Sequence, residues 1–434
     1  MTRFKGCPQL EFKSAKVMHA AQSIRLQAHL AYCARHSPYY SRLFKKEGLR
    51  INSIGLDELS SLPLTDKTDF ARHNDEFLAV LQTDIVDIVL SSGTTGKPNR
   101  IMYTEKDLLR LAYNEHLSFE SCGISSTDIA LLTCTMDRCF IAGLAYFLGI
   151  RSLGAAAIRN GHGTLTSHMD IIQTIKPTVL VGVPSFLRRL GHFLQEQGVD
   201  PAKTALHTLV CIGEPVRGQD LQPLKLGRDL EQLWKARVYS TYASSECITT
   251  FCECTAQQGG HLHPDLGIIE IIDEQGRPVE PGTPGEVVLT PLAIQGMPLI
   301  RFKTGDISCL ITEPCTCGRK SPRLGPILGR KQHMMKVRGT SLYPQAVFAA
   351  MDEIRGLGDF YLEIINSAEL SDELILHISD KEGLPLVNSI REQLQSKLRV
   401  TPSIIVDPGN EVRQHIHSPE SRKPIRIIDR RAVK

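Results

Sequence analysis

The sequence predicts an α/β fold with a large N-terminal domain on mainly parallel sheets and a small α+β C-terminal domain, at 1–329 and 330–434. Three textures predict it. From about residue 80 to 245, apolar β-branched runs alternate with helical stretches, as in helices packed on a parallel sheet. After about residue 260, "GIIEIIDEQGRPVEPGTPGEVVLTPL" separates short apolar runs with Gly and Pro, which reads as antiparallel hairpins. From about Gly329 onward, "YLEIINSAELSDELILHIS" and the helical "LPLVNSIREQLQSKLRV" form a block of domain size.

The first 80 or so residues read as helical, with apolar periodicity in "AAQSIRLQAHLAYCARHSPYYSRLFKKEGL". The strand candidates that follow are "DIVDIVL", "IALLTCT", "PTVLVGV", "LHTLVCIG" and "ARVYSTY", the first expected to be a buried strand. In "TEKDLLRLAYNEHLSFES", Thr104 and Asp107 have capping-box spacing, which starts a helix. "CFIAGLAYFLGI", Cys139 to Ile150, reads as a core helix, too short for a bilayer.

The 434 residues carry a formal net charge of +3, which points to neither nucleic acid nor an anionic membrane as partner. The opening "MTRFKGCPQLEFKSAK" lacks a signal peptide's apolar centre. With twelve Cys spread along the chain, a reducing, cytoplasmic setting is expected, and clustered Cys suggest metal.

The chemistry starts at "SSGTTGKP", Ser91 to Pro98. Gly93 stands only three positions before Gly96, so the Walker A spacing fails. Yet two glycines permit close backbone approach, four hydroxyls and successive N–H groups can donate to oxyanions, and Lys97 adds charge. Further along stand "IGEPV" (Ile212 to Val216), "STYASSE" (Ser240 to Glu246), "PLIRFKTGD" (Pro298 to Asp306), "GRKQHMMKVRG" (Gly329 to Gly339) and "ESRKPIRIIDRR" near the end. Cys252, Cys254, His261 and His263 in "CECTAQQGGHLH", with Cys315 and Cys317 in "EPCTCGRKSPR", offer soft thiolates and imidazoles of the kind that select zinc. Cys254, His261, Cys315 and Cys317 are the expected ligands. Cys252 and His263 are held as reserve ligands.

In their order, these six segments resemble the adenylate-forming superfamily of acyl-CoA synthetases, adenylation domains and luciferases. "HSPYYSRLFKKEGL" and "LSSLPLTDKTDF" resemble the opening of its phenylacetate–CoA ligase branch. The resemblance implies a small β-barrel-like portion in the large domain and a mobile C-terminal domain. It implies an enzyme that couples a carboxylic acid to ATP, forms an acyl-adenylate, and transfers the acyl group to coenzyme A. By the same resemblance, Ser91, Ser92, Gly93, Thr94, Thr95, Gly96 and Lys97 hold the β- and γ-phosphates. Gly213, Glu214 and Pro215 lie along adenine and Tyr242 stacks on it. Glu246 holds Mg²⁺, Asp306 and Arg330 meet the ribose, and Lys423 reaches the reacting carboxylate and α-phosphate. Lys97, Glu246 and Lys423 are the expected catalytic set. Phe140 and Ala243 are expected at the acyl pocket, and His162 is a weaker candidate there. Members of the branch carry a zinc site on this part of the chain, expected here to be structural, and a homodimer is common among them.

Four departures stand out: Ala243 replaces a Gly, Lys303 an Arg, Gln332 with His333 the two acids at the hinge, and Arg422 the Gly before Lys423. They keep two alternatives open, an enzyme that loads an acyl carrier protein and an inactive zinc-stabilised nucleotide-binding scaffold.

Overall fold

The computed structural model describes residues 4–91, 99–337, 340–366, 372–416 and 425–431. The chain divides into two compact units, Met1–Thr304 with Ser308–Ile327, and Gly305–Ile307 with Leu328–Lys434.

The first unit opens with α1 (Ala15–His36), α2 (Pro38–Lys46) and α3 (Lys67–Arg72). α1 buries Met18, Gln22, Leu26, His29, Leu30 and Cys33 at three- and four-residue spacing, the stripe of a helix lying on a core. Strands β1 (Ile85–Leu90) and β2 (Arg100–Thr104) then pair antiparallel as a two-stranded hairpin. This corrects the expectation for "DIVDIVL". β1 is not a buried strand of the parallel sheet, and Val86 and Ile88 are exposed. Its neighbour in sequence turns back on it, so only one of its faces meets a core.

The alternating region builds the main sheet. α4 (Glu105–Ser121) starts at the expected capping box, with Thr104 and Asp107 exchanging side-chain and backbone bonds. There follow β3 (Ile129–Leu132), α5 (Ile141–Leu153), β4 (Ala156–Arg159), α6 (Leu165–Thr174), β5 (Val179–Gly182) and α7 (Pro184–Glu196). β6 (Thr208–Ile212), α8 (Lys225–Trp234), β7 (Arg237–Ser244) and β8 (Thr249–Cys252) complete it. The order is β4-β3-β5-β6-β7-β8, parallel except for the antiparallel β7–β8 hairpin at the edge. Strands β5 and β6 are buried along their whole length, as expected when helices cover both faces. β4, "AAIR", was not among the expected strands: at the sheet edge it is short and partly exposed, and its apolar run is too brief to stand out. α5 begins only at Ile141 and Cys139 is exposed, so the apolar run is helix and core in part.

The Gly- and Pro-rich stretch forms small antiparallel sheets. β9 (Gly260–His261) is followed by β10 (Gly267–Ile272) and β11 (Gly285–Pro291), and the last two pair with each other in a sheet that β9 does not enter. β12 (Phe302–Ser308) precedes β13 (Leu310–Ile311) and β14 (Arg323–Leu324), and β14 lies between β13 and β9. Arg110 on α4 fastens this region to the main sheet. Fully buried, it donates to the carbonyls of Leu292 (2.7 Å), Ile248 and Leu266.

In the second unit, β15 (Gly329–Arg330) pairs with residues 306–307 of β12, and β16 (Met335–Val337) with β17 (Thr340–Leu342). Then come α9 (Pro344–Asp352), β18 (Phe360–Asn366), β19 (Asp372–Ser379), α10 (Asp380–Leu398), β20 (Ser403–Asp407), α11 (Gly409–Ile416) and β21 (Ile427–Asp429). The sheet order is β20-β19-β18-β21, over a separate apolar core that includes Met351, Leu362, Leu376 and Ile390. Among the described residues no helix is long and apolar enough to cross a membrane.

Candidate active site and metal centre

In an open parallel sheet, ligands gather at the carboxyl ends of the strands. Two of the expected segments leave that edge from neighbouring strands. β6 and β7 are in register from Thr208↔Arg237 to Ile212↔Thr241, so Gly213 and Tyr242 emerge side by side. Gly213 takes φ +76, a conformation that a side chain would strain. The Glu214 carboxylate accepts from the Ser185 N–H (3.0 Å) and Oγ (2.9 Å) at the start of α7. Its side chain therefore braces the loop after β6 against α7. Tyr242 is half-buried, its ring 6.1 Å from that of Phe251, and Ala243 is exposed.

Glu246 lies in the β7–β8 turn and is 8% exposed. One carboxylate oxygen accepts from Ser244 Oγ at 3.2 Å, and the other stands 3.9 Å from Lys67 Nζ. Sequence reasoning missed Lys67, which was read only as part of the branch-like "LTDKTDF". The segment before α3 is placed by Lys303, whose N–H donates to the Thr65 carbonyl at 2.8 Å, and by the Asp66 capping box. Tyr103 Oη donates to the Ser245 carbonyl at 2.9 Å and ties β2 to the same turn.

The Ser91 N–H donates to the Asn99 carbonyl at 3.0 Å, closing the base of the β1–β2 loop. Ser92, Gly93, Thr94, Thr95, Gly96 and Lys97 lie outside the described residues, as do Gly339 and Lys423. The Leu90 N–H donates to the Cys139 carbonyl at 2.9 Å, which places Phe140 next to that loop base. His162 is exposed.

In the second unit, Asp306 and Arg330 are register partners on β12 and β15, with Arg330 Nε 3.5 Å from Asp306 Oδ1. Gln332 and His333 occupy a short turn whose carbonyl at Gln332 accepts from Arg431 Nη2 at 3.0 Å. Arg431 Nη1 donates to the Met334 carbonyl at 2.7 Å and to Asp372 at 3.0 Å. Burial holds the His333 imidazole below its usual range, and Arg330 pushes the same way.

Cys254, His261, Cys315 and Cys317 converge in the first unit, their ligand atoms all within 4.8 Å of one another. Cys254 Sγ is 3.5 Å from Cys315 Sγ, and Cys317 Sγ is 3.4 Å from His261 Nε2. Around a tetrahedral zinc with Zn–S near 2.3 Å, ligands sit about 3.5–3.8 Å apart, so the spacing fits that ion. Burial pushes the Cys254 thiol up to about 12 and the His261 imidazole down to about 3. Burial also raises Cys317, but hydrogen bonds from Arg319 and the neighbouring thiols outweigh it and bring that thiol below its ordinary value. The other two candidates point elsewhere. Cys252 Sγ lies 3.2 Å from Cys122 Sγ, and His263 bonds to Ser118 and Glu11.

Comparison with known proteins fits this arrangement. The family model described as AMP-binding enzyme matches residues 27–292. The phenylacetate-coenzyme A ligase of Thermus thermophilus is 30% identical over 396 residues, 90% of this chain and 87% of that protein. The Escherichia coli phenylacetate-coenzyme A ligase is 28% identical over 398 residues, 90% and 89% of the two chains. A crystal structure of 2-hydroxyisobutyryl-CoA ligase in the postadenylation state superposes with TM-score 0.85 at 22% identity, covering 97% of this chain and 91% of that one, and shows the shared fold.

Proposed function

The chain belongs to the AMP-binding enzyme family, in its phenylacetate–CoA ligase-like branch, and we propose that the acid it activates is an aryl or arylacetic acid. It is an AMP-forming acid–thiol ligase. The substrate carboxylate attacks the α-phosphorus of ATP and pyrophosphate leaves. The thiol sulfur of CoA then attacks the acyl carbon of the mixed anhydride and AMP leaves.

The observation that carries the site assignment is the adjacent exit of Gly213–Pro215 and Tyr242–Glu246 from neighbouring parallel strands. In our reading the first segment lies along adenine and Tyr242 stacks on it. Asp306 and Arg330 serve the ribose hydroxyls, to which a carboxylate is a natural acceptor. A carboxylate and a triphosphate repel each other, so the chain's task is positioning and charge neutralisation. Lys97 with the loop amides grips the β- and γ-phosphates, and Lys423 orients the attacking carboxylate. Mg²⁺, a hard cation that suits carboxylate and phosphate oxygens, would be held by Glu246 and would neutralise the triphosphate. Lys67, with Nζ 3.9 Å from Glu246, serves as its counter-ion. Phe140, beside the phosphate loop's base, and Ala243 border the acyl pocket. A structural zinc on Cys254, His261, Cys315 and Cys317 ties the end of β8 to β9 and to the turn after β13, and all four positions are taken by the protein.

Carboxylate-dependent pyrophosphate release, screened over aromatic and fatty acids with and without CoA, tests the substrate. Preference for a fatty acid refutes the aryl reading. Release without a CoA thioester redirects the acyl group to a carrier protein. Lys423→Ala should impair adenylation and leave ATP binding largely intact; normal adenylation in that variant refutes its role.

A further inference from the structure

Glu11, at the far N-terminal end of the chain, reaches the residues that orient the thiol–imidazole centre. It sits in a short 3-10 turn (Pro8–Phe12) and is 2% exposed. Its main-chain carbonyl accepts from the N–H groups of Lys320 (2.7 Å) and Ser321 (3.1 Å). One carboxylate oxygen accepts from Arg319 Nε at 2.6 Å, and the other from His263 Nδ1. The Arg319 guanidinium also lies 5.2 Å from the centre of the Phe12 ring. Two of these contacts lead to ligands, through Arg319 and Ser321. Arg319 hydrogen-bonds the Cys317 thiol. Ser321 Oγ bonds to His261 Nδ1 at 3.1 Å, which turns the ring's Nε2 towards Cys317. Residues 7–12 and 315–321 both lie outside the stretch matched by the family model.

We propose that Glu11 is a positioning residue for the metal centre, and that residues 7–12 form a clasp whose closure and metal occupancy stabilise each other. Groups that orient metal ligands by hydrogen bonding typically change metal retention about 10–100-fold when removed. Three thiolates on a divalent ion leave one negative charge, and the Glu11 carboxylate holds the Arg319 cation beside it. Because the clasp closes onto groups that the metal immobilises, whatever stabilises one must stabilise the other by the same factor. The inference rests on the zinc reading of the cluster.

The test uses the full chain as purified with its metal. Zinc per chain is measured first, then zinc transfer to a chromogenic chelator for the wild type, Glu11→Gln and Glu11→Ala. The expected result is release at least about 10-fold faster for Glu11→Ala, with Glu11→Gln in between, since its amide oxygen can still accept from Arg319. Thermal unfolding of zinc-loaded and zinc-stripped forms separates this from a merely structural role: Glu11→Ala should lower the loaded form's midpoint and barely move the stripped form's. Equal release rates in all three proteins overturn the clasp and leave the zinc reading standing. A wild type that never holds zinc overturns the zinc reading itself. Should Glu11→Ala fail to fold, hydrogen exchange on the wild type decides the question. Exchange in residues 7–12 should rise as chelator strips the metal, and unchanged exchange refutes the coupling.

Discussion

The two ends of the β7–β8 hairpin are built on opposite terms. At the turn, Glu246 has one hydroxyl partner at 3.2 Å and one lysine at 3.9 Å. At the open end, Cys254 meets three further ligand groups within 4.8 Å. The segments around it are pinned by Glu11, Arg319 and Ser321. Loosely held charge can be handed to a metal–phosphate ligand at little cost. A closed set of short contacts resists exchange and suits permanent structure. On the proposed reading, one strand carries a site for turnover at one end and a staple at the other.

The most damaging way to break this contrast is at the staple. Cys254→Ser should release zinc and cost about 5 kcal/mol or more of stability, a fraction of the roughly 10–16 kcal/mol that structural zinc contributes to isolated finger peptides. Metal analysis and urea unfolding measure it. A stable, zinc-free protein would erase the difference between the two ends. Arg110→Met should cost about 3–5 kcal/mol, because it strands three buried carbonyls, one of them at Ile248 in the turn. That loss would show that the turn's rigidity comes from the backbone clamp and not from Glu246.

Glu115 gives a pH-dependent probe of the same hairpin, since its carboxylate accepts from Thr250 Oγ1 on β8. Burial raises its pKa to about 7 from the ordinary 4.5. The folded state therefore binds the proton more tightly than the unfolded chain. The associated stability is fully present below about pH 4.5 and is lost as pH rises to 7, by roughly 3 kcal/mol. Glu115→Gln should remove that slope. Its advantage over the wild type, read by urea unfolding, should be large at pH 8 and small at pH 4.5.

At the turn the effects should be on rate. Glu246→Gln should slow adenylation about 100-fold and raise the Mg²⁺ requirement, with unfolding almost unchanged. A comparable loss of stability would make Glu246 structural. Lys67→Met should be the mildest, raising KM for ATP about 10-fold, the scale of one charge-assisted hydrogen bond. An unchanged KM would remove Lys67 from the site.

Much of the architecture was legible because it rests on local patterns. Alternating apolar runs and helices specify the parallel sheet, Thr104 with Asp107 specifies the start of α4, and Gly- and Pro-rich spacing specifies the hairpins. A period of two puts Cys252 on the face of Cys254 and His263 on the face of His261, so alternation could not choose among them; the contacts of Cys252 with Cys122 and of His263 with Ser118 and Glu11 made the choice. What resisted reading depends on contacts across long sequence separations. Glu11 and Arg319 are 308 positions apart, and nothing near either announces the other. Lys67 meets Glu246, and Arg431 meets the carbonyls of Gln332 and Met334, by the same kind of long-range closure. β1 was misplaced because an apolar run reports what can be buried, while only the returning β2 decides which strand pairs with it. By itself the sequence determined the kinds of elements and the loops that bear chemistry, since these follow from periodicity and residue type. The tertiary structure alone decided which distant charges meet, because pairing of that sort is set by packing and leaves no periodic trace.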